Sequence, residues 1–197
     1  MHDFLRSRRS IRKFQQKPVD ADIVERILVS GTHAPSAHNR QPWRFAILSH
    51  PEPKSRLSER ITADYRAELT AEGLPESEIE SRLERSRRRV EEAPLIIIPC
   101  VEIIEHTTDE HRAALEQRMA EQSVAAAIAT ILLAAHAEGL GAVWVCSPLF
   151  APAAVRAALD LPESWQPQAM ILVGWPNGAP KEKTLRPLQE VVRYIDR

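Results

Sequence analysis

The chain has 197 residues, 44% of them hydrophobic and 27% charged, with a formal net charge of −1. That is chain enough for one domain, residues 1–197, with a sizeable core, and the balanced charge excludes general nucleic-acid binding through a wholly basic surface. Cys100 and Cys146 both lie in apolar runs, which excludes a disulfide framework and reads as buried thiols of a cytoplasmic protein.

The N-terminus is charged and lacks the apolar core of a signal peptide. Arg8, Ser10 and Arg12 alternate along the opening segment, so in extended backbone their side chains share one face. Asp20 or Asp22 can cap a helix through Ile23, Ile27 and Leu28, with Gly31 near its stop. The loop Pro35-Ser36-Ala37-His38-Asn39-Arg40-Gln41-Pro42-Trp43 then precedes a strand at 45–48. Two amphipathic helices, 53–71 and 76–92, are split by Gly73-Leu74-Pro75. The second carries Arg82, Arg85, Arg87, Arg88 and Arg89 among glutamates, the pattern of a solvated, salt-bridged face.

The continuously apolar run 95–101 reads as a strand buried on both faces. Residues 106–111 (HTTDEH) fit no standard zinc spacing and have no cysteine nearby, so no metal is expected and the segment reads as a connecting loop. The longest helix is expected over 113–138, stopped by Gly139. Ala, Ile and Leu surround its second half, which places it in a core or a subunit interface. Its apolar run, around 124–137, is too short and too Ala-rich to cross a bilayer. Gly139-Leu140-Gly141 is a helix-ending turn: the Gly-x-Gly-x-x-Gly pattern is incomplete and runs from helix to strand, the reverse of a dinucleotide loop. Strands at 142–146 and 169–173, with a helix at 152–159 between them, complete an α/β or α+β sandwich. No repeat or linker marks a second domain.

Two guanidinium forks and a hydroxyl on one face suit a phosphate monoester, because Arg binds planar oxyanions bidentately. The 35–43 loop, pinned by Pro35 and Pro42, offers amide, hydroxyl and imidazole groups to the polar edge of a flat heteroaromatic ring. Phosphate at one end and such a ring at the other describe a flavin mononucleotide (FMN). Each piece alone has a plainer reading, a solvated or nucleic-acid-binding arm or a turn before a strand. The pair is far more specific.

The pairing of Arg8-Arg9-Ser10-Ile11-Arg12-Lys13-Phe14 with the 35–45 segment resembles the FMN-dependent nitroreductase family. The resemblance continues through residues 139–145 (GLGAVWV) to 184–188 (TLRPL). Within that family the chain is most similar to the C-terminal flavin domain of the bifunctional deazaflavin-coenzyme (F-420) gamma-glutamyl ligase/reductase, on residues 69–75 and on 147–150 through 155–165. No ligase domain is expected within these 197 residues.

That resemblance implies an α+β, three-layer α/β/α sandwich with a mainly antiparallel sheet and a long core helix. It assigns the FMN phosphate to Arg8, Ser10 and Arg12, with Arg186 approaching from the C-terminal side and Thr184 where the family usually has a basic residue. Arg9 belongs to the motif but points to the opposite face, a salt-bridging position. Pro35, Ser36, Ala37 and Asn39 would wrap the ring, with Gln41 in the same motif. His38 replaces a smaller residue, and Trp43 is a core anchor. Cys146 and Ser147 would act through their main chain near flavin N5, with no side chain assigned as acid or base. The implied reaction is ping-pong hydride transfer from NAD(P)H to a nitroaromatic, quinone-like or unsaturated acceptor, an intermediate of deazaflavin-coenzyme synthesis among the candidates, in a homodimer. The alternatives are a flavin-fragmenting or dehalogenating enzyme on the same cradle, a flavin-storage protein without turnover, and a basic-arm nucleic-acid binder.

Overall fold

The computed structural model describes residues 1–102, 108–180 and 182–195. A short helix α1 (His2–Ser7) leads into an extended arm, followed by α2 (Ala21–Thr32) and strand β1 (Trp43–Leu48). A helical hairpin comes next, α3 (Pro51–Ala71) and α4 (Glu76–Glu91), turned at Gly73 with φ 74°. Then come β2 (Leu95–Glu102), the long α5 (Glu110–Ala137) and β3 (Gly141–Val145). The chain closes with α6 (Pro152–Leu159), β4 (Trp165–Pro167), β5 (Met170–Gly174) and α7 (Leu188–Val191).

The sheet runs β1-β2-β5-β3 with every ladder antiparallel, and β4 pairs the far end of β2 beyond β5. Side-chain alternation along β2 sends Ile96, Ile98 and Cys100 to one face and Leu95, Ile97 and Val101 to the other. Ile27 of α2 and Val124, Ile128 and Ile131 of α5 cover the second face. Leu57 and Ile61 of α3, Val90 of α4 and Val155 of α6 cover the first. The result is the expected three-layer α+β sandwich. Each fully buried Ile contributes about 1.5–3 kcal/mol, so the two clusters hold the sheet between its helices.

Several local expectations shift. Helix α5 starts earlier than its apolar pattern suggests, because the Asp109 carboxylate accepts the Arg112 N–H at 2.7 Å and caps it. Gly139, at φ 76°, ends it as expected, with the Leu140 N–H donating back to Ala135 O at 2.9 Å. By length and composition α5 does suffice to cross a membrane, contrary to the expectation from its apolar run alone. In this fold it lies against the sheet, with Val124, Ile128 and Ile131 wholly buried. Gly31 stands near the stop of α2 as expected, one residue before Thr32, and it also has a packing role: a Cβ there would stand 2.6 Å from Ile131 Cγ1, so the glycine lets α2 and α5 close. The short α1, β4 and α7 carry too few residues to show a period in the sequence.

Candidate functional site

The N-terminal arm docks on the free edge of β3. Ser10 bridges Ala142 in parallel, and the Ile11 N–H donates to Ala142 O at 3.1 Å. Gly141 permits this approach, since a Cβ there would lie 2.6 Å from Ile11 Cβ. Ile11 packs toward the core, so Ser10 and Arg12 turn outward and are exposed. Arg12 Nη1 reaches only Ser10 O, at 3.4 Å, and Arg8 has no ion pair or side-chain hydrogen bond among the described residues. Among the described residues Arg9 has no ion pair, where a salt-bridging position was expected. Its guanidinium folds back over the end of α1, donating to Arg6 O and to Arg8 O (3.0 Å).

The ring-edge loop precedes β1. His38, Asn39 and Gln41 all adopt left-handed backbone, at φ 53°, 54° and 50°. Such conformations cost non-glycine residues about 1–3 kcal/mol each and concentrate at functional sites. Tethers hold them. The Gln41 N–H donates to Ser36 Oγ at 3.1 Å, and the Ala37 N–H donates to Ser123 Oγ at 3.2 Å. Arg40 pairs with Glu116 of α5 at 2.9 Å. Hydrogen bonds from Arg40 and then Arg112 hold the Glu116 carboxyl below the usual carboxylate range. The Asn39 and Gln41 side chains bond each other at 3.2 Å and are exposed, as are Pro35 and His38, while Trp43 is buried as expected. Ser123 and Glu116 escape sequence inspection. The one hint is Ser123 itself, one of two hydroxyls (with Thr130) in the Ala-, Ile- and Leu-rich half of α5.

Beyond β3, Cys146 starts a 3-10 turn, Ser147–Leu149. Cys146 is exposed, correcting its expected burial, because the ladder ends at Val145 and Pro148 cannot extend it. Cys100 is buried, and burial pushes its thiol up to about 12. Thr184 and Arg186 lie in an exposed C-terminal segment with no hydrogen bond to the arm among the described residues. The loop and the Cys146 turn sit at the same end of the sheet but on opposite edges, β1 and β3. Three strand spacings, about 14 Å, separate those edges, so one chain does not bring the two halves of the cradle to one edge. The donor set nonetheless fits FMN: outward cations and a hydroxyl for phosphate, and exposed Asn39 and Gln41 amides, bonded among the described residues only to each other through one N–H and one carbonyl oxygen, for a ring edge. Of the 106–111 segment, residues 106 and 107 lie outside the described residues.

A separate cleft of about 650 Å³ opens between the α3–α4 hairpin and the turn at 147–150. Of the expected site residues only Ser147 lines it. Arg87 and Arg88 pair with Glu84 at 3.6 and 3.4 Å, as a salt-bridged face requires. Arg82 pairs with Glu78 in the same way at 2.6 Å, and together with the exposed Arg85 and Arg89 it also lines the cleft.

The sequence profile of the nitroreductase family matches residues 5–175. A 5,6-dimethylbenzimidazole synthase of Rhodospirillum rubrum is 34% identical over 175 residues, covering 86% of this chain and 79% of that protein. A BluB-like flavoprotein from Clostridium difficile shares the fold, with a TM-score of 0.84 at 19% identity, over 98% of each chain. A nitroreductase-type protein of Desulfovibrio desulfuricans, crystallised with FMN, is 28% identical with a TM-score of 0.72, covering 97% of this chain and 94% of that one.

Proposed function

The chain belongs to the nitroreductase family, and from that premise we propose that it is an FMN-dependent oxidoreductase, residues 1–197 forming one cofactor-binding domain of a cytoplasmic enzyme. It passes hydride from NAD(P)H to a nitroaromatic, quinone-like or unsaturated small molecule. The observation that carries this reading is the docked arm: the Ile11 N–H on Ala142 O, at 3.1 Å, turns Ser10 and Arg12 outward, which is how a phosphate monoester is gripped.

FMN, when bound, supplies the hydride chemistry. The chain's own residues bind and orient. Arg8, Ser10 and Arg12 take the phosphate, joined by Thr184 and Arg186, and Arg9 braces the arm. Pro35, Ser36, Ala37, Asn39 and Gln41 take the ring edge, and Cys146 and Ser147 contribute main-chain contacts beside it. No side chain is needed as acid or base. A homodimer accounts for two otherwise separate facts, the cradle halves on opposite sheet edges and a C-terminal segment exposing Leu185, Leu188, Val191 and Ile195. A second copy then offers its loop to the first copy's arm.

The narrower assignment, a deazaflavin-coenzyme intermediate as acceptor, rests on the resemblance at 69–75 and 147–165. Similarity to a 5,6-dimethylbenzimidazole synthase favours a second reading, in which the same cradle makes a benzimidazole from the flavin instead. Reconstitution with FMN tests the first claim: the protein should quench FMN fluorescence and retain the cofactor on desalting. Failure to retain FMN contradicts it. Benzimidazole found by mass spectrometry after aerobic incubation with reduced FMN would favour the second reading, and NAD(P)H consumption with a nitroaromatic acceptor the first. Retained flavin with no turnover would leave a storage protein.

A further inference from the structure

The cleft beneath the α3–α4 hairpin meets the proposed cofactor cradle only at Ser147. Its floor is apolar, formed by Val145, Met170 and Leu172 of the sheet. Its two helical walls carry opposite charge. Asp64 and Glu68 of α3 and Glu72, which caps its C-terminus, recur every four residues and line one wall. Arg82, Arg85 and Arg89 recur at helical spacing along α4 and line the other.

The two stripes do not neutralise each other. Arg82 is taken by Glu78 of its own helix at 2.6 Å, and Arg85 donates to the Ser81 carbonyl at 3.1 Å. No hydrogen bond or ion pair links the two stripes among the described residues, and Arg89, Asp64, Glu68 and Glu72 have no side-chain partner there. Ser147 lines the same cleft, and its Oγ is buried without a hydrogen-bond partner.

We propose that this cleft binds a small dipolar molecule, an aromatic or apolar body bearing both an ammonium and a carboxylate, as in an α-amino acid. The carboxylate matches the guanidinium forks of Arg85 and Arg89. The ammonium matches the carboxylates of α3, and the body covers the apolar floor. A simple anion meets repulsion from the α3 wall and a simple cation meets it from the α4 wall, so the opposed charges select for the dipole. A volume of about 650 Å³ suits a ligand of this size. The ligand's role as electron acceptor rests on the FMN assignment, through the shared Ser147 turn, but its binding does not require flavin.

Isothermal titration calorimetry on the full-length protein, with and without FMN, tests this with three probes. They are 4-nitro-L-phenylalanine, 3-(4-nitrophenyl)propanoate (which lacks the ammonium) and 4-nitrophenethylamine (which lacks the carboxylate). The amino acid should bind at least about tenfold tighter than either analogue, the equivalent of one charged contact. A double variant, Arg85→Ala with Arg89→Ala, should bring the amino acid down to the affinity of the amine. Glu68→Gln should bring it toward that of the propanoate. No binding, equal binding of all three, tightest binding of a singly charged analogue, or variants without effect would overturn the proposal. Flavin absorbance of the same samples reports on the cofactor assignment separately, and its loss leaves the three-ligand comparison intact.

Discussion

Among the described residues Arg12 keeps only a 3.4 Å contact to Ser10 O, so its guanidinium is available to an anion. A hydrogen bond to a charged group contributes about 1.5–3 kcal/mol. Arg12→Ala should therefore raise the FMN dissociation constant about ten- to a hundredfold in a fluorescence titration, and unchanged affinity would remove Arg12 from the phosphate site. The two thiols divide just as sharply. Cys146 is exposed, whereas burial pushes Cys100 to about 12, so a disulfide reagent should titrate one thiol in the native protein and the second only on unfolding. Two fast thiols would place Cys100 outside the core. The sequence shows both cysteines in apolar runs and cannot separate them, because where β3 stops depends on its pairing with β5. The alternation of Arg8, Ser10 and Arg12, by contrast, is visible in the sequence, since Ile11 must face inward for the arm to pack.

Gly31 and Gly141 each place a neighbour where a Cβ would stand 2.6 Å away, Ile131 Cγ1 for the first and Ile11 Cβ for the second. Overpacking of this kind costs about 1–3 kcal/mol. Gly31→Ala and Gly141→Ala should both lower the melting temperature, but only Gly141→Ala should also weaken FMN binding, because it lifts the arm. Equal FMN affinity in the two variants would separate arm docking from the cofactor. Gly139 is readable as a helix stop because its role is local. The packing roles of Gly31 and Gly141 are not readable, because the atoms they make room for come from distant parts of the chain. The α3–α4 hairpin has its own titration. Lys54 is buried, donating to Ala93 O at 2.7 Å and Pro94 O at 3.1 Å, and burial holds its pKa below the ordinary 10.5. Below that depressed value both states carry the proton. Between it and 10.5 the unfolded chain binds more protons, so stability should rise with pH through that window. Denaturant unfolding followed across the alkaline range should show this rise, and Lys54→Met should abolish it.

Continuous apolar strands and helical period made an α/β or α+β sandwich legible, while its three layers and antiparallel sheet came from the family resemblance. Strand order was not legible, and strand order separates the two halves of the cradle by placing β1 and β3 at opposite edges. The tethers Ser123 and Glu116 were hidden for the same reason, since they matter only through what the fold sets against them. The dimer proposed here follows from that separation and from the apolar C-terminal segment. Removing residues 179–197 should shift light scattering from twice the chain mass to the single-chain mass and reduce FMN retention. A truncated chain that stays dimeric would place the interface elsewhere. The central claim is tested most directly by the visible absorption spectrum of the FMN-reconstituted protein under anaerobic addition of NADH and NADPH. Flavin bands that bleach on addition, and return with a nitroaromatic acceptor, are the predicted result; bands that never form, or that no nicotinamide bleaches, would contradict it.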